Sequence, residues 1–222
     1  MPSFKVAFFL TMKFYWVKTN RFIKILFRRF VWSVPTDDKV VYLTFDDGPT
    51  PEITDWVLNQ LKQFNAKATF FCIGNNIRNN PELFDKILAC KHRIGNHTQN
   101  HLNGWHTSDK TYIENIRSCN DEINSRNSGT DLFRPPYGKL KSSQSAWLRD
   151  NGYKIVMWDI LSADFDRNIT PEKCLNNVIR NINPGSIIIF HDSVKAFPNL
   201  EFALPRTLQF LKENGFECRA LS

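Results

Sequence analysis

The 222-residue sequence lacks several features that would indicate common protein classes. No apolar run is long enough to cross a bilayer, and no repeat or low-complexity linker interrupts the chain after Val40. No Cys-x-x-Cys pair occurs, and the five cysteines are an odd number, so at least one cannot join an intrachain disulfide. We therefore expect one main domain with reduced, mostly buried thiols.

Net charge is nearly absent from most of the chain. The whole sequence carries a formal charge of +7, and residues 1–39 contribute +6 of it, with eight lysines and arginines against two aspartates. Because residues 40–222 are nearly neutral, the basic balance does not indicate a nucleic-acid partner. Any partner that the excess positive charge attracts is therefore expected to bind residues 1–39.

Residues 1–39 form a basic, aromatic segment that we treat separately from residues 40–222. Residues 21–32 predict an amphipathic helix with Arg21, Lys24 and Arg28 on its polar side. The apolar side would carry Phe22, Ile23, Leu26, Phe27 and Phe30. Such a helix could lie on an anionic membrane surface, or its apolar side could close one end of the main domain while the cations stay solvated. We favour the second hypothesis.

Residues 6–12 form a short apolar stretch at the lower limit for a signal-peptide core. Lys13 ends this stretch, and no clear small-residue cleavage site follows it. The sequence therefore predicts neither a cleavable signal peptide nor a transmembrane helix.

Two adjacent aspartates, Asp46 and Asp47, follow a β-branched and aromatic run that predicts a strand at residues 40–45. Gly48 and Pro49 then turn the chain, so both carboxylates would lie at the C-terminal end of the strand, where α/β folds bind ligands. Neighbouring side chains on extended backbone point to opposite faces, so we expect the two aspartates to differ in role. Taken alone, Asp-Asp-Gly-Pro is more typical of a surface turn.

His97 and His101 are four residues apart, so on one helical turn they would share a face and could bind one cation. The preceding residues 93–96 predict a strand that ends in a ligand-bearing loop. Two histidines and one carboxylate are a usual ligand set for a hydrolytic zinc, and a second carboxylate could act as general base. The combination predicts metal-assisted hydrolysis.

Three later segments also end in chemically useful residues. Arg134 precedes two prolines, a strand-like run at residues 156–159 leads to Asp164, and a buried-strand pattern at residues 185–190 precedes His191. Each has a plainer explanation when taken alone, because Arg134 could belong to a surface loop and His191 could be a hydrogen-bonded structural residue.

The ordered motifs resemble those of the polysaccharide deacetylases, the NodB-homology group or carbohydrate esterase family 4. They are Thr-Phe-Asp-Asp-Gly at residues 44–48, His-Thr-x-x-His at 97–101, Arg-Pro-Pro-Tyr-Gly at 134–138, Asp-Phe at 164–165 and Ile-x-His at 189–191. The resemblance runs from about Val40 to the C-terminus, so residues 40–222 are expected to form a NodB-homology domain.

The resemblance implies roles for five residues in the reaction. Asp47, His97 and His101 would hold a divalent metal, usually zinc or cobalt. Asp46 would accept a proton from the attacking water, and His191 would protonate the departing amine.

The resemblance also implies a set of supporting residues. Arg134 would orient the base, and Asp164 would orient the acid and raise its pKa. The backbone N–H of Tyr137 would stabilise the oxyanion. Ile189 and Phe165 would line the pocket for the acetyl methyl group, although Phe165 stands where tryptophan is common.

The resemblance implies a single-domain α/β fold, a deformed (β/α)7 barrel similar to a TIM barrel. The length agrees, because a full eight-unit barrel usually needs about 250 residues. We count about seven strand-like runs, among them residues 67–73 and 216–220. Helices are expected near residues 50–64, 81–89, 108–126, 144–151, 170–179 and 205–214.

The implied function is a hydrolase of linear, non-peptide amide bonds that removes N-acetyl groups from N-acetylglucosamine-containing glycan, either peptidoglycan or chitin-like. The alternatives are an O-acetyl esterase acting on acetylxylan, a deformylase of a lipid-linked amino sugar, or an inactive glycan-binding or membrane-interaction module. Retention of five positions opposes the inactive module; they are Asp46, Asp47, Arg134, Asp164 and His191. We expect a monomer in the cell envelope or at a membrane, with a cytoplasmic location as the alternative.

Overall fold

The computed structural model describes residues 15–222, so the apolar stretch at residues 6–12 lies outside the described residues. Within this range the helices are Arg21–Leu26 (α1), Ile53–Gln63 (α2), Gly74–Asn79 (α3), Pro81–Ala89 (α4), Asp109–Asn124 (α5), Ser142–Asp150 (α6), Pro171–Ile179 (α7) and Phe197–Glu213 (α8). The strands are Val40–Asp46 (β1), Ala68–Cys72 (β2), Arg93–Asn96 (β3), Leu132–Phe133 (β4), Lys154–Ile155 (β5), Ile160–Leu161 (β6), Ile187–His191 (β7) and Glu217–Cys218 (β8). Short 3-10 turns lie at Gly104–His106 and Pro136–Gly138.

The strands form one curled, wholly parallel sheet in the order β5-β4-β3-β2-β1-β7-β6. The short strand β8 pairs with the start of β1, outside this path. Seven strands with helices between them confirm the predicted single-domain, deformed (β/α)7 barrel. Because every strand runs the same way, their C-terminal ends lie at one edge, where the sequence motifs occur.

Alternate residues of β1 belong to two different layers. Val41, Leu43 and Phe45 are buried in the large apolar cluster that also contains side chains of α2 and α8, whereas Tyr42 packs with a second cluster around Phe71. This alternation follows from the two-residue period of a strand. It places Asp46 on the inner face of the barrel, at the end of the strand.

Two predicted elements are misplaced. No strand forms at residues 156–159, which lie between β5 and β6. The backbone there bonds to several partners, since the Met157 N–H donates to the Val31 carbonyl at 2.7 Å and the Asp159 N–H to the Ile187 carbonyl at 2.9 Å. The last helix, α8, begins at Phe197 rather than near Pro205, which it accommodates internally. In both cases a local pattern identifies apolar or helix-forming residues but not the partners that decide the boundaries.

Residues 15–34 lie between β5 and β6, the two edges of the curled sheet. Lys18 bridges to Ile160 and Val31 bridges to Val156, so the segment is bonded to both edges. The helix predicted at residues 21–32 is shorter than expected, because α1 ends at Leu26. The N-terminal segment thus completes the side of the barrel that the strands leave open.

The predicted apolar side packs against the barrel only in part. Phe22 is 81% exposed and Leu26 73%, whereas Phe30, which follows α1, packs against the buried cluster that contains Phe133. It is Lys24 that turns inward, where it forms an ion pair with Asp159. The expectation that the cations of this helix are all solvated therefore fails for Lys24.

Asp159 anchors the N-terminal segment. Its carboxylate is buried, and it accepts hydrogen bonds from Lys18 Nζ at 2.6 Å, from Lys24 Nζ and from Ser186 Oγ at 2.7 Å. Burial raises the pKa of Asp159, but the hydrogen bonds from the two lysines outweigh it and hold the pKa below its ordinary value. Two ammonium groups around one buried carboxylate fix the segment to the barrel.

Asp159→Asn is expected to lower the free energy of unfolding by about 3 kcal/mol at neutral pH, because it leaves two lysines without their buried anion. Because the pKa of Asp159 is lowered in the folded state, its carboxylate stabilises the fold fully at pH values above the ordinary pKa of aspartate. This stabilisation is lost as the pH falls through the folded-state pKa. Guanidinium denaturation measures the change, with the exposed Asp37→Asn as control. A loss no greater than that of the control would contradict this anchoring role.

All five cysteines are free, and Cys72, Cys119 and Cys174 are buried, as expected for reduced thiols. Among residues 15–222, no helix combines the length and the apolar character that crossing a membrane requires.

Candidate active site

Asp46 ends β1 and is held from inside the barrel by Arg134. The Arg134 Nη1 donates to Asp46 Oδ1 at 2.7 Å and to Thr44 Oγ1 at 2.8 Å, while Nη2 donates to the Met157 carbonyl at 2.8 Å. The guanidinium also lies 4.1 Å from the centroid of the Phe71 ring. Arg134 is fully buried, so the alternative of a surface-loop arginine is excluded.

Asp47 lies directly after β1, in a backbone conformation that separates it from Asp46. Its φ is 83°, in the left-handed region that costs a residue with a side chain roughly 1–3 kcal/mol and that persists mainly at functional sites. The Asp47 Oδ1 lies 3.3 Å from His101 Nε2 and 3.8 Å from His97 Nε2. The turn therefore directs the second carboxylate to the histidine pair.

The two histidines lie on the loop that follows β3, where a ligand-bearing loop is predicted, and not on a helical turn. The strand β3 ends at Asn96, whose side-chain oxygen accepts the Thr98 N–H at 2.9 Å, and Thr98 and His101 have φ values of 66° and 54°. This local hydrogen bond favours a turn over a helix. The imidazole centroids are nevertheless 5.1 Å apart.

Both imidazoles are oriented through Nδ1. The His97 Nδ1–H donates to the Arg134 carbonyl at 2.7 Å, which leaves Nε2 free of a proton and facing the aspartates. His101 Nδ1 lies 3.2 Å from the Tyr137 hydroxyl. Burial lowers the pKa of His97 to about 3 and lowers that of His101 as well. Both rings are thus neutral, which is the form that binds a metal.

The three side chains fit a divalent metal. Asp47 Oδ1 is buried and has no hydrogen-bond partner among the described residues, which is costly for a carboxylate oxygen unless a cation satisfies it. One ligand atom each from Asp47, His97 and His101 lie within 4.8 Å of one another. Two imidazoles and one carboxylate match a catalytic zinc site with a position left for water or substrate.

His191 ends β7 and is paired with Asp164. Asp164 Oδ1 lies 2.7 Å from His191 Nδ1, and Oδ2 accepts the His191 backbone N–H at 2.7 Å. Burial lowers the pKa of His191, but the charge and hydrogen bond of Asp164 outweigh it and raise the pKa to about 9. His191 is therefore protonated at neutral pH and can act as an acid.

Asp164→Asn is expected to move the alkaline limb of the kcat–pH profile to lower pH by at least about 1 unit. An acid must begin protonated, so the rate falls as the pH rises above its pKa. Without the Asp164 anion, the remaining effect of burial lowers the pKa of His191. The partly exposed Asp55→Asn on α2 is the control, and an unchanged alkaline limb would argue against His191 as the acid.

Tyr137, Ile189 and Phe165 lie around the same centre. Tyr137 has a φ of 59°, and its ring centroid is 4.6 Å from that of His101. Ile189 is buried in an apolar cluster against which Phe165 packs, and the Phe165 ring centroid is 5.1 Å from that of His191. The structure thus brings all ten predicted site residues together.

Asp192, which was not among the predicted site residues, follows His191 and is fully buried. Its carboxylate accepts the Gly48 N–H at 3.1 Å and the Thr54 hydroxyl at 2.5 Å, and burial raises its pKa to about 8. A Cβ at Gly48 would lie 2.0 Å from Asp192 Oδ2, so this close contact requires glycine. Asp192 holds the turn that carries Asp47. The sequence feature that could have identified Asp192 is its position directly after His191, at the end of a predicted strand.

Comparison with known proteins agrees with this geometry. The family model for polysaccharide deacetylase matches residues 33–156. A peptidoglycan-N-acetylglucosamine deacetylase of Bacillus cereus is 35% identical over 186 residues, which cover 83% of this chain and 87% of that protein. The solved structure of the Bc1960 peptidoglycan N-acetylglucosamine deacetylase has a TM-score of 0.82 and 32% identity, covering 87% of this chain and 91% of that chain.

The parallel α/β barrel, with carboxylates and histidines at one strand edge, places the chain in a class of hydrolases. The chain belongs to the polysaccharide deacetylase family, carbohydrate esterase family 4. The predicted family and the predicted hydrolase class are confirmed. A pseudoenzyme of this family from Bacillus anthracis has a TM-score of 0.77 and 25% identity, covering 86% of this chain and 66% of that chain. Because pseudoenzymes share the fold, the case for turnover depends on the side chains.

Proposed function

We propose that the protein is a metal-dependent deacetylase that removes N-acetyl groups from N-acetylglucosamine-containing glycan of the cell wall. The observation that carries this proposal is the presence, at one strand edge, of the donors Asp47, His97 and His101 beside the oppositely charged pair Asp46 and His191. The relatives named peptidoglycan deacetylases support the substrate class.

Asp47, His97 and His101 would hold the metal, and zinc is the first choice because two nitrogens and one oxygen are a usual set for it. Cobalt is the second choice. When bound, the metal would lower the pKa of a water molecule and polarise the acetyl carbonyl. Asp47 Oδ1 is buried without a hydrogen-bond partner among the described residues, which supports this assignment independently of the family.

Asp46 and His191 divide the proton transfers between them. Arg134 binds Asp46 Oδ1, which leaves Oδ2 on the side of His97, 3.8 Å from Nε2, to accept a proton from the attacking water. His191, kept protonated by Asp164, donates its proton to the departing nitrogen. General acids and bases of this kind each contribute roughly a hundred- to ten-thousand-fold in rate.

Tyr137 and the apolar cluster would position the acetyl group. Gly138 and Lys139 bond back to the two prolines, which fixes the turn around the Tyr137 N–H. We propose this N–H as the oxyanion donor, a role worth about 3 kcal/mol of barrier. Ile189 and Phe165 would receive the acetyl methyl group.

We also propose that α1 touches a membrane surface, which would hold the enzyme at the cell envelope. Exposed Phe22, Ile25 and Leu26 lie on this short helix beside Arg21, a combination that suits an anionic lipid interface. Phe22→Ser/Ile25→Ser is expected to reduce co-sedimentation with anionic vesicles at least about threefold, with unchanged activity on soluble substrate. Equal co-sedimentation of both proteins would refute the contact.

Acetate release from a panel of substrates tests the proposed function. Zinc-loaded protein is offered peptidoglycan strands, chitooligosaccharide, acetylxylan and an N-formyl amino sugar. We expect equal amounts of acetate and free amine from the N-acetyl glycans. Acetate from acetylxylan alone would instead establish an O-acetyl esterase, product from the N-formyl sugar alone would establish a deformylase, and no product would establish an inactive module.

A further inference from the structure

A groove of about 870 Å³ opens beside the proposed catalytic centre. Tyr137 and Leu161 contribute to its lining, so it is continuous with the residues around His101 and Ile189. Another part of its wall consists of residues of the N-terminal segment, which lies largely outside the region matched by the family model. The volume is typical of a ligand site and exceeds what an acetyl group needs.

The groove is strongly basic. Its lining includes Arg28, Arg29, Lys139, Lys141 and Arg149 and no acidic side chain. Lys141 Nζ lies 4.0 Å from Asp109 Oδ1, so this cation has an acidic neighbour. Within residues 15–222, by contrast, no ion pair involves Arg28, Arg29 or Lys139. Residues 1–14 contain no aspartate or glutamate that could pair with them. Residues 40–222 carry a net charge of only about +1, so these cations form a local concentration of positive charge.

Aromatic side chains lie among these cations. Trp32, Trp105, Tyr137 and Trp158 all line the groove, and Trp105 and Tyr137 are more than half exposed. The Lys139 ammonium lies 5.2 Å from the centroid of the Trp105 ring. Flat aromatic faces pack well against the C–H faces of sugar rings. Aromatic faces and unpaired cations together suit a carbohydrate that carries negative charge.

We propose that this groove binds an acidic part of the glycan, in which carboxylates on alternate sugar units contact Arg28, Arg29 and Lys139. The inference rests on the proposed function and narrows its substrate to strands with carboxylate-bearing sugars, such as muramic acid, over neutral chitin-like chains. Each carboxylate would accept a charge-assisted hydrogen bond, which a neutral strand cannot supply.

The same proposal explains why the N-terminal segment is fixed so firmly. Lys18 and Lys24 bind the buried Asp159, and the backbone of Val31 bonds on both sides to residues 155 and 157. These bonds flank Arg28 and Arg29 and hold the backbone that carries them at the groove. An anchored segment loses less freedom on binding than a mobile one, which favours affinity.

The test compares Arg28→Glu/Arg29→Glu with Lys62→Glu/Lys173→Glu, which makes the same charge change on α2 and α7, outside the groove lining. The substrates are soluble strands of alternating N-acetylglucosamine and muramic acid, and N-acetylated chitooligosaccharides of equal length. We expect the groove variant to raise KM for the acidic strand at least about tenfold, with kcat and the KM for the neutral chain within about twofold of wild type. The control variant should match wild type, and added salt should weaken only the binding of the acidic strand.

Tryptophan fluorescence of the Asp46→Asn protein measures binding of both glycans without turnover, so the groove proposal can be judged even if hydrolysis is absent. Tighter binding of the acidic strand that Arg28→Glu/Arg29→Glu abolishes would support it. Equal affinity for both glycans, or equal KM changes for both, would overturn it. Loss of binding to anionic vesicles with unchanged glycan affinity would also overturn it, because the cations would then serve a membrane. Absence of hydrolysis by wild type would refute the proposed function separately.

Discussion

Asp46→Asn is expected to lower kcat for deacetylation by about a hundred- to ten-thousand-fold while the protein still binds one metal per chain. Asparagine keeps the shape of the side chain and an oxygen for the Arg134 hydrogen bond, but it cannot accept a proton from water. Asp46 also lies outside the three-residue donor set, so metal binding should survive. Initial rates of acetate release and elemental analysis of the purified protein measure the two quantities.

Asp37→Asn is the matched control for this experiment, since Asp37 is an exposed aspartate that precedes β1, at the opposite end of this strand from Asp46. It should leave both rate and metal content unchanged. A fall in kcat smaller than about tenfold for Asp46→Asn would argue against a general base, whose removal should cost at least about a hundredfold. Loss of the metal would instead identify Asp46 as a ligand.

His101→Ala is expected to weaken metal binding by at least about a hundredfold and to abolish measurable activity at ordinary metal concentration. It removes one of three protein donors and leaves His97 and Asp47 without the third. The His101 side chain is 26% exposed, so its truncation should be tolerated by the fold. Titration of the metal-free protein with zinc, followed by calorimetry, measures the affinity.

His106→Ala provides the control for this histidine, because His106 lies on the exposed 3-10 turn at Gly104–His106, outside the site. It should bind zinc as wild type does. Full zinc occupancy of His101→Ala would show that the proposed ligand set is wrong. The two substitutions therefore separate proton transfer from metal binding: one should lose rate and keep metal, and the other should lose both.

The relation between sequence and site is clearest for the strand ends. The apolar runs β1 and β7 end at Asp46 and His191, and Asp47 comes directly after β1. Parallel pairing of these strands places Asp46 directly opposite His191. A parallel sheet brings the C-terminal ends of all its strands to one edge, so motifs far apart in sequence become neighbours. This juxtaposition can be predicted without knowing how the side chains pack. This is why the residues at the strand ends could be expected to meet at one edge. The seven-stranded barrel and the roles of Tyr137, Ile189 and Phe165 were implied by the family resemblance.

The rest depends on contacts that no local pattern contains. The inward turn of Lys24 follows from the buried carboxylate of Asp159, which is 135 residues away in the chain. The loop that carries His97 and His101 follows from the side-chain hydrogen bond of Asn96, and a four-residue spacing cannot distinguish it from a helix. Asp192 was not predicted as part of the site, because its partner, the Gly48 N–H, becomes a neighbour only in the folded barrel.

The measurement that tests the central claim most directly is acetate release from an N-acetylglucosamine glycan as metal-free protein is titrated with zinc. The account predicts that activity rises in proportion to bound zinc, saturates at one zinc per chain and disappears again with a chelator. Full activity of the metal-free protein, or no activity from folded protein that holds one zinc, would contradict it.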